Sequence, residues 1–404
     1  MLNMLSFTSL CPYLAQYYVT IILHIIKLHF YSIYSTIRRG IAIMKKVSEN
    51  KKICGISLFS SAGIGELYFD DINIDIVVAN ELVPKRAELY KHTHSNTNVI
   101  VGDICDEKIF RNIINTAKKY DIEFMLISPP CQGFSVAGKN RSQESIEVDN
   151  RNYLILQAIK IIKEFKPSYI LIENVPTFLT AKLLIDNKYY SLESLLNKEL
   201  GDLYNIDAKV LDAADYGVPQ HRKRAITKLY KKNLKWNWPQ KQSKMVSVRE
   251  AIGKLPSLES GQKSNIKWHF ARKHADSHVK WLQHTPTGKS AFDNKDFYPQ
   301  KPDGTPIKGY NSSYRRIRWD EPAPTITMRN DAISSQRNVH PGRLKPDGTY
   351  SDARVLTPLE LMIINSMPTN WNIPDDTPEI LVRQCIGESI PPLLLKQVAG
   401  MING

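Results

Sequence analysis

Phe124-Met125-Leu126-Ile127-Ser128-Pro129-Pro130-Cys131-Gln132-Gly133-Phe134-Ser135 decides how the rest of the chain is read. The apolar run 124–127 reads as a strand buried on both faces, as in a parallel sheet. The two prolines fix φ and remove two backbone donors, so the strand stops there. Cys131 is therefore expected on a stiff turn at the carboxyl end of a parallel strand, where open α/β sheets place their chemistry. Gly133 lets a substrate approach the backbone. A lone cysteine in a turn is more often a small buried hydrophobe. Held out on a rigid turn, it is a candidate nucleophile.

Short apolar, β-branched runs recur on either side, at 53–59, 74–79, 99–101 and 169–172. Helical periodicity separates them, as in 153–165. Strands alternating with helices from Lys52 to about Tyr230 predict an α/β domain with a mostly parallel, doubly wound, Rossmann-like sheet. From Lys231 the periodicity fades, and Trp, Pro, Gly, Lys and Arg are scattered, which predicts a small loop-rich domain. Thr357-Pro358 then opens a helix, with Thr357 as the cap and Pro358 in the first helical position. The apolar tail 386–400 is expected to pack back on the large domain. No internal repeat is read. The expected organisation is a catalytic, cofactor-binding domain of residues 44–230 plus 378–404, a recognition domain of 231–353 and a hinge of 354–377.

The chain of 404 residues, 42% hydrophobic and 23% charged, is sufficient for one large and one smaller domain. Its net charge is +14, and between Lys231 and Asp320 there are 19 Lys and Arg against 7 Asp and Glu. The basic excess therefore sits in the irregular segment, which implies a polyanionic partner, nucleic acid. Cys11, Cys54, Cys105, Cys131 and Cys385 are scattered and form no C-x-x-C pair. That pattern argues against a disulfide framework or a zinc site and for a reducing cytoplasm.

Residues 1–43 contain no Asp or Glu. Their apolar stretch 17–30 is interrupted by His24, Lys27 and His29, so it is a poor membrane span, and no small-residue cleavage site follows. Translation is expected to start at Met44, with 1–43 a non-native extension; a weakly membrane-associated leader is the alternative.

Several side chains are placed for chemistry. Phe59-Ser60-Ser61-Ala62-Gly63-Ile64-Gly65 follows the first strand, and its small residues let a ligand approach a helix start. Glu81, just past the second strand, can accept both hydroxyls of a ribose. Asp103, past the third, can accept from an adenine amino group. A carboxylate at a strand end is more often a helix cap; two of them behind a glycine turn favour a ligand. Glu173 ends the next strand, and alternation would place Gln220, Arg222 and Arg224 on one face of another. His274 and His278 stand four apart in a helix expected to start near Trp268, but no H-E-x-x-H acid accompanies them, so a metal site is not expected.

The octet 128–135 resembles the catalytic motif of the DNA (cytosine-5) methyltransferases, and five further segments match that family in order between about Ile53 and Gly400. The resemblance implies S-adenosyl-L-methionine as cofactor, with Phe59 and Leu82 flanking its adenine, and Gly63, Gly65, Glu81 and Asp103 in the same site. Gly387-Glu388-Ser389 resembles the motif lining the methionine end. Ser61 stands where the family has glycine, and Glu388 where it has asparagine.

Carbon 5 of cytosine is a poor nucleophile, so the family adds a thiolate to carbon 6 first; here that implies Cys131. Glu173 is implied to hydrogen-bond the exocyclic amine and N3, which needs a carboxyl group able to hold a proton. Arg222 is implied to contact the cytosine carbonyl, with Arg224 beside it. The base must be flipped out of the duplex, and Ala137–Asn150 resembles the loop that closes over it. Tyr314–Thr327 resembles the motif that organises target recognition, with arginines for phosphates and base readout between Lys232 and Tyr314.

The resemblance implies methylation of a specific double-stranded DNA sequence by a monomeric, cytoplasmic enzyme. A cognate restriction endonuclease would be a functional rather than a physical partner, and no stable membrane partner is implied. Two alternatives stand beside it. A tRNA-directed cytosine methyltransferase is disfavoured by the large basic domain. A catalytically dead DNA-binding homologue is disfavoured because thiol, acid and guanidinium are all present.

Overall fold

The computed structural model describes residues 52–130, 150–335 and 337–402. Residues 1–51, and with them the expected start at Met44, lie outside the described residues. So do Cys131 and nearly all of the expected closing loop.

The first part of the chain runs β1 (Ile53–Leu58), β2 (Ile74–Glu81), α1 (Pro84–Thr93), β3 (Asn98–Val101), α2 (Glu107–Ala117), β4 (Ile122–Ile127), α3 (Leu154–Phe165) and β5 (Tyr169–Asn174). A small hairpin of β6 (Lys182–Ile185) and β7 (Lys188–Ser191) follows, then α4 (Leu192–Leu200), β8 (Tyr204–Asp212) and β9 (Lys223–Lys231). The main sheet has the order β3-β2-β1-β4-β5-β9-β8. β1 to β5 are mutually parallel, while β9 runs antiparallel to both of its neighbours. The expected doubly wound, mostly parallel sheet is present, with two more strands than the apolar runs indicated.

Period-two alternation explains both layers. In β4, Met125 and Ile127 face a cluster with Ile113 of α2, Ile159 and Ile162 of α3, and Leu196 of α4. Phe124 and Leu126 face the opposite cluster, with Tyr90 of α1 and Trp236. Both faces are covered, so the strand reads as a continuous apolar run. β8 was not legible because it is an edge strand, half polar and largely exposed in its middle. The register sets Leu58 beside both Asn80 and Ile127, and Ile127 beside Ile172. The carboxyl ends of four strands therefore form one rim, and strand order reverses at β1, the position where α/β sheets bind ligands.

The remaining helices are α5 (Val248–Ile252), α6 (Asp276–Gln283), α7 (Pro358–Ile364), α8 (Glu379–Glu388) and α9 (Pro392–Ala399). α7 opens as expected: Thr357 caps it and Glu360 closes a capping box. α9 packs Leu394, Leu395 and Val398 under the sheet, as expected of the tail. The helix expected from Trp268 starts instead at Asp276, and Trp268 itself takes a left-handed φ of 63°. His274 and His278 are thereby used in packing. His274 Nε2 accepts from the Val355 N–H at 3.3 Å, and burial pushes its pKa down to about 4. His278 packs on Trp281 and Tyr314. Among the described residues no group of three or more His, Cys, Asp or Glu is placed to hold a metal, and no helix is long and apolar enough to cross a membrane.

The segment after β9 is stitched to the sheet in two places. Trp236 lies in the lower sheet core. Val248, Ile252, Trp268, Ile317 and Trp319 share a core with α7, α8 and Ala62 and Ile64 of the loop after β1. A smaller core holds Trp281, Leu282, Tyr314, Val339 and Val355. With so little regular structure, buried carbonyls need side-chain donors. Arg316, fully buried, donates to the carbonyls of Leu282, His340 and Asp352. Arg354, also buried, binds Asp352 at 2.9 Å and Glu360 at 2.8 Å. One repeat escaped the sequence reading. Lys301-Pro302-Asp303-Gly304-Thr305 and Lys345-Pro346-Asp347-Gly348-Thr349 form the same turn, each closed by a lysine N–H donating to the threonine carbonyl at 2.8 Å.

Candidate active site

The turn that leads into Cys131 is fixed from both neighbouring strands. The Ser128 N–H donates to the Leu58 carbonyl at 3.2 Å, continuing the ladder past β4. Asn174, buried at the end of β5, donates through Nδ2 to the Pro129 carbonyl at 3.0 Å. The backbone is thus held up to Pro130; Cys131 itself lies outside the described residues. Glu173, one residue before Asn174, pairs with Arg224 Nε at 2.9 Å, each side chain 12% exposed. An acid and a guanidinium therefore sit together at the carboxyl end of β5, next to Asn174 and the braced Pro129 carbonyl.

Arg222 does not share that position. β9 begins at Lys223, so Gln220 and Arg222 lie in the approach to the strand rather than on it. The Arg222 guanidinium, 1% exposed, donates to the carbonyls of Ile326 at 2.7 Å and Gly387 at 3.0 Å. It joins the segment 323–327 to α8. Gly387 permits this approach, because a Cβ there would lie 2.2 Å from the Thr327 carbonyl oxygen. Gln220 accepts from the Ile326 N–H at 3.0 Å and donates to Asn365 Oδ1 at 3.1 Å. Asn365 in turn donates to Ser389 Oγ at 3.0 Å. Asp212 holds the same stretch, accepting from the Arg222 N–H and pairing with His221 Nδ1, each at 3.0 Å.

Beside these residues opens a cleft of about 940 Å³, lined among others by His221, Lys223, Arg315, Arg318 and Arg337. Of the arginines in this stretch, Arg318 is exposed, whereas Arg315 donates to the carbonyls of Asn311 at 2.8 Å and Gly288 at 2.6 Å, and Arg316 is buried among carbonyls.

A second group of the expected site residues lies at the ends of β1 to β3. Phe59 and Ser61 take left-handed φ values of 61° and 48°, unusual for residues with a Cβ, and Gly63 follows at 70°. At Gly63 a Cβ would also meet the His94 ring at 2.6 Å. Glu81 accepts the N–H groups of Ser61 and Val83, both at 2.8 Å, one on each oxygen. Each oxygen keeps a second lone pair for a ligand hydroxyl. Leu82 is 60% exposed beside it, an apolar surface open to a planar ring. Asp103 is exposed and accepts from the Cys105 N–H at 2.9 Å. Gly65 is a packing position, where a Cβ would meet Ile390 and Leu395 at under 3 Å. Ser389 Oγ donates to the Ile386 carbonyl at 3.0 Å as well as accepting from Asn365.

Two departures noted in the sequence meet here: Ser61 Oγ donates to Glu388 Oε1 at 2.6 Å, and Arg86 Nη2 pairs with Glu388 Oε2 at 2.8 Å. Two carboxylates, an arginine and an exposed leucine on one rim suit a ligand with a ribose, a flat base and a charged tail. Asn174, Asn365 and Asp212 were not singled out from sequence. Asn174 could have been found, since it adjoins Glu173; Asn365 carries no local signal.

Residues 53–404 match the C-5 cytosine-specific DNA methylase family. The chain is 59% identical over 348 residues to the type II methyltransferase M1.HgaI of Avibacterium volantium, covering 86% of this chain and 97% of that protein. It is 28% identical to the type II methyltransferase M1.HphI of Haemophilus parahaemolyticus, over 85% of each. In fold it is similar to the Entamoeba histolytica methyltransferase EhMeth, with a TM-score of 0.59 at 16% identity over 87% of this chain and 98% of that one. It is likewise similar to the S. pombe Dnmt2 methyltransferase, at 0.56 and 17% over the same shares. The match over residues 53–404 and the arrangement of acid and guanidinium beside the Pro129 carbonyl agree: this chain belongs to the C-5 cytosine-specific DNA methylase family.

Proposed function

We propose that this enzyme methylates carbon 5 of cytosine within one specific double-stranded DNA sequence and so protects DNA from a cognate endonuclease; its likeness to proteins named type II methyltransferases supports this reading. The observation that carries the reading is the Glu173–Arg224 pair beside the braced proline turn. Cys131, which follows Pro130 in sequence, adds through its thiolate to carbon 6 of a cytosine extruded from the duplex. Glu173 hydrogen-bonds the exocyclic amine and N3, stabilising the charge that develops on the ring. Arg224 orients Glu173 and faces the base carbonyl. That role passes to it from Arg222, whose guanidinium is spent on two backbone carbonyls. After methylation the carbon 5 proton leaves and the thiolate is expelled.

S-adenosyl-L-methionine supplies the activated methyl group. Its ribose is assigned to Glu81 and its adenine to Phe59, Leu82 and Asp103, with Gly63 and Gly65 shaping the loop beneath. Ser389 acts indirectly, holding Asn365. The duplex lies in the basic cleft, with the exposed Arg318 and Lys223 on phosphates. Residues 231–353 recognise the sequence, 44–230 with 378–404 carry the chemistry, and 354–377 connect them. The enzyme works as a monomer in the cytoplasm on nucleoid DNA, with its endonuclease a functional partner only.

Bisulfite sequencing of DNA from cells expressing the chain tests this. The expected result is protected cytosines in one sequence context; a folded, cofactor-binding protein that protects none would refute it.

A further inference from the structure

Glu388 and Arg86 each occupy the helix end that their own charge disfavours. Glu388 is the last residue of α8, at the negative end of the helix dipole. Arg86 is in the first turn of α1, at a positive end, and no acid accompanies it there. The two side chains are 20% and 21% exposed and pair at 2.8 Å. A pair so far withdrawn from water gains in attraction little more than its desolvation costs, and both dipole terms weigh against it. Folding stability therefore does not account for the pair.

Its location does. Ser61 donates its N–H to Glu81 and its Oγ to Glu388, so both carboxylates are held on one residue of the loop after β1. Burial raises the pKa of Glu388, and Arg86 opposes that rise. Glu388 is thus an acid that gains from a second cation. A cofactor whose ribose lies on Glu81 ends in an α-amino acid, an ammonium and a carboxylate on one carbon. An adjacent fixed anion and cation match that zwitterion charge for charge.

We propose that the Glu388–Arg86 ion pair reads the amino-acid end of the cofactor, Glu388 accepting from the α-ammonium and Arg86 donating to the α-carboxylate, with Ser61 holding Glu388 in place. This rests on the assignment of S-adenosyl-L-methionine to the rim. Ser61 and Glu388 then act as one unit: the serine hydroxyl is what aims the acid.

Calorimetric titration of the full chain with three product-like ligands tests the proposal. S-adenosylhomocysteine carries both charges, its decarboxylated analogue keeps only the amine, and 5′-methylthioadenosine has neither. Loss of one charge-assisted contact corresponds to about 10- to 100-fold in affinity. Glu388→Gln is expected to weaken both amine-bearing ligands by that factor and to leave methylthioadenosine within about twofold. Arg86→Met is expected to weaken only S-adenosylhomocysteine. Equal losses on all three ligands would make the pair a structural latch and overturn the proposal, as would unchanged affinity throughout. If the wild-type chain binds none of the three, the cofactor assignment itself fails, a result separate from either.

Discussion

Replacing Arg222 with methionine separates two roles that its sequence neighbourhood cannot. The guanidinium is 1% exposed and donates to two buried carbonyls, at 2.7 and 3.0 Å, on segments more than 50 residues apart in sequence. Methionine fills most of the hydrocarbon volume but leaves both acceptors unpaired. An orphaned buried acceptor costs about 1–3 kcal/mol, so the loss should be about 2–6 kcal/mol. Against a total of about 5–15 kcal/mol that is a large fraction. Urea unfolding should show a lower midpoint at an unchanged slope. Arg224→Met is the control. It takes the partner from Glu173, 12% exposed, and so also costs stability, but it leaves the Ile326 and Gly387 carbonyls paired while turnover is lost. A variant of Arg222 with wild-type stability and no affinity for the extruded base would refute this reasoning and return the base contact to Arg222.

Other outcomes follow from the same geometry. Asn174→Ala removes the donor that braces the Pro129 carbonyl; steady-state kinetics should show a fall in kcat with cofactor affinity unchanged, and an equal loss in both would contradict the bracing role. Acid should unfold the irregular segment first. Burial, reinforced by the Arg354 charge, lowers the His340 pKa to about 3, so the unfolded chain takes up a proton below about pH 6.5 that the folded chain refuses. Stability is therefore level above that pH and falls as pH drops towards 3. Glu360 adds a further fall below about 4.5: burial alone would raise its pKa, but Arg354 and His340 draw it down to about 2. Urea midpoints of His340→Gln should lose about one proton, or about 1.4 kcal/mol per pH unit, of that slope between about pH 5.5 and about pH 4.5; an unchanged slope would exclude His340 as the source.

The apolar, β-branched strands were legible because burial on both faces removes polar residues from them, and Thr357-Pro358 because capping chemistry is local. The end of β4 just before Ser128-Pro129-Pro130 could be read because proline chemistry is local too. β8 was missed because one of its sides faces solvent. Arg222 and Arg224, two residues apart, were expected on one face because alternation presumes a strand through both; the strand starts between them, and one guanidinium goes to carbonyls while the other goes to Glu173. The helix at 276–283 was placed too early because Trp268-His269-Phe270 resembles a helical start, whereas Trp268 turns left-handed to reach the core shared with α7. The link from Gln220 through Asn365 to Ser389 has no sequence signature, because it depends on three segments meeting only after folding.

The central claim, that a thiolate at Cys131 bonds transiently to the target base, is most directly tested with a duplex carrying 5-fluorocytosine at the methylated position, incubated with enzyme and S-adenosyl-L-methionine and mapped by mass spectrometry. Fluorine in place of the carbon 5 hydrogen blocks the last elimination, so the account predicts a stable protein–DNA adduct on the peptide containing Cys131 and none with Cys131→Ser. Methylation of normal DNA with no adduct on the fluorinated duplex, or an adduct on a different residue, would contradict it.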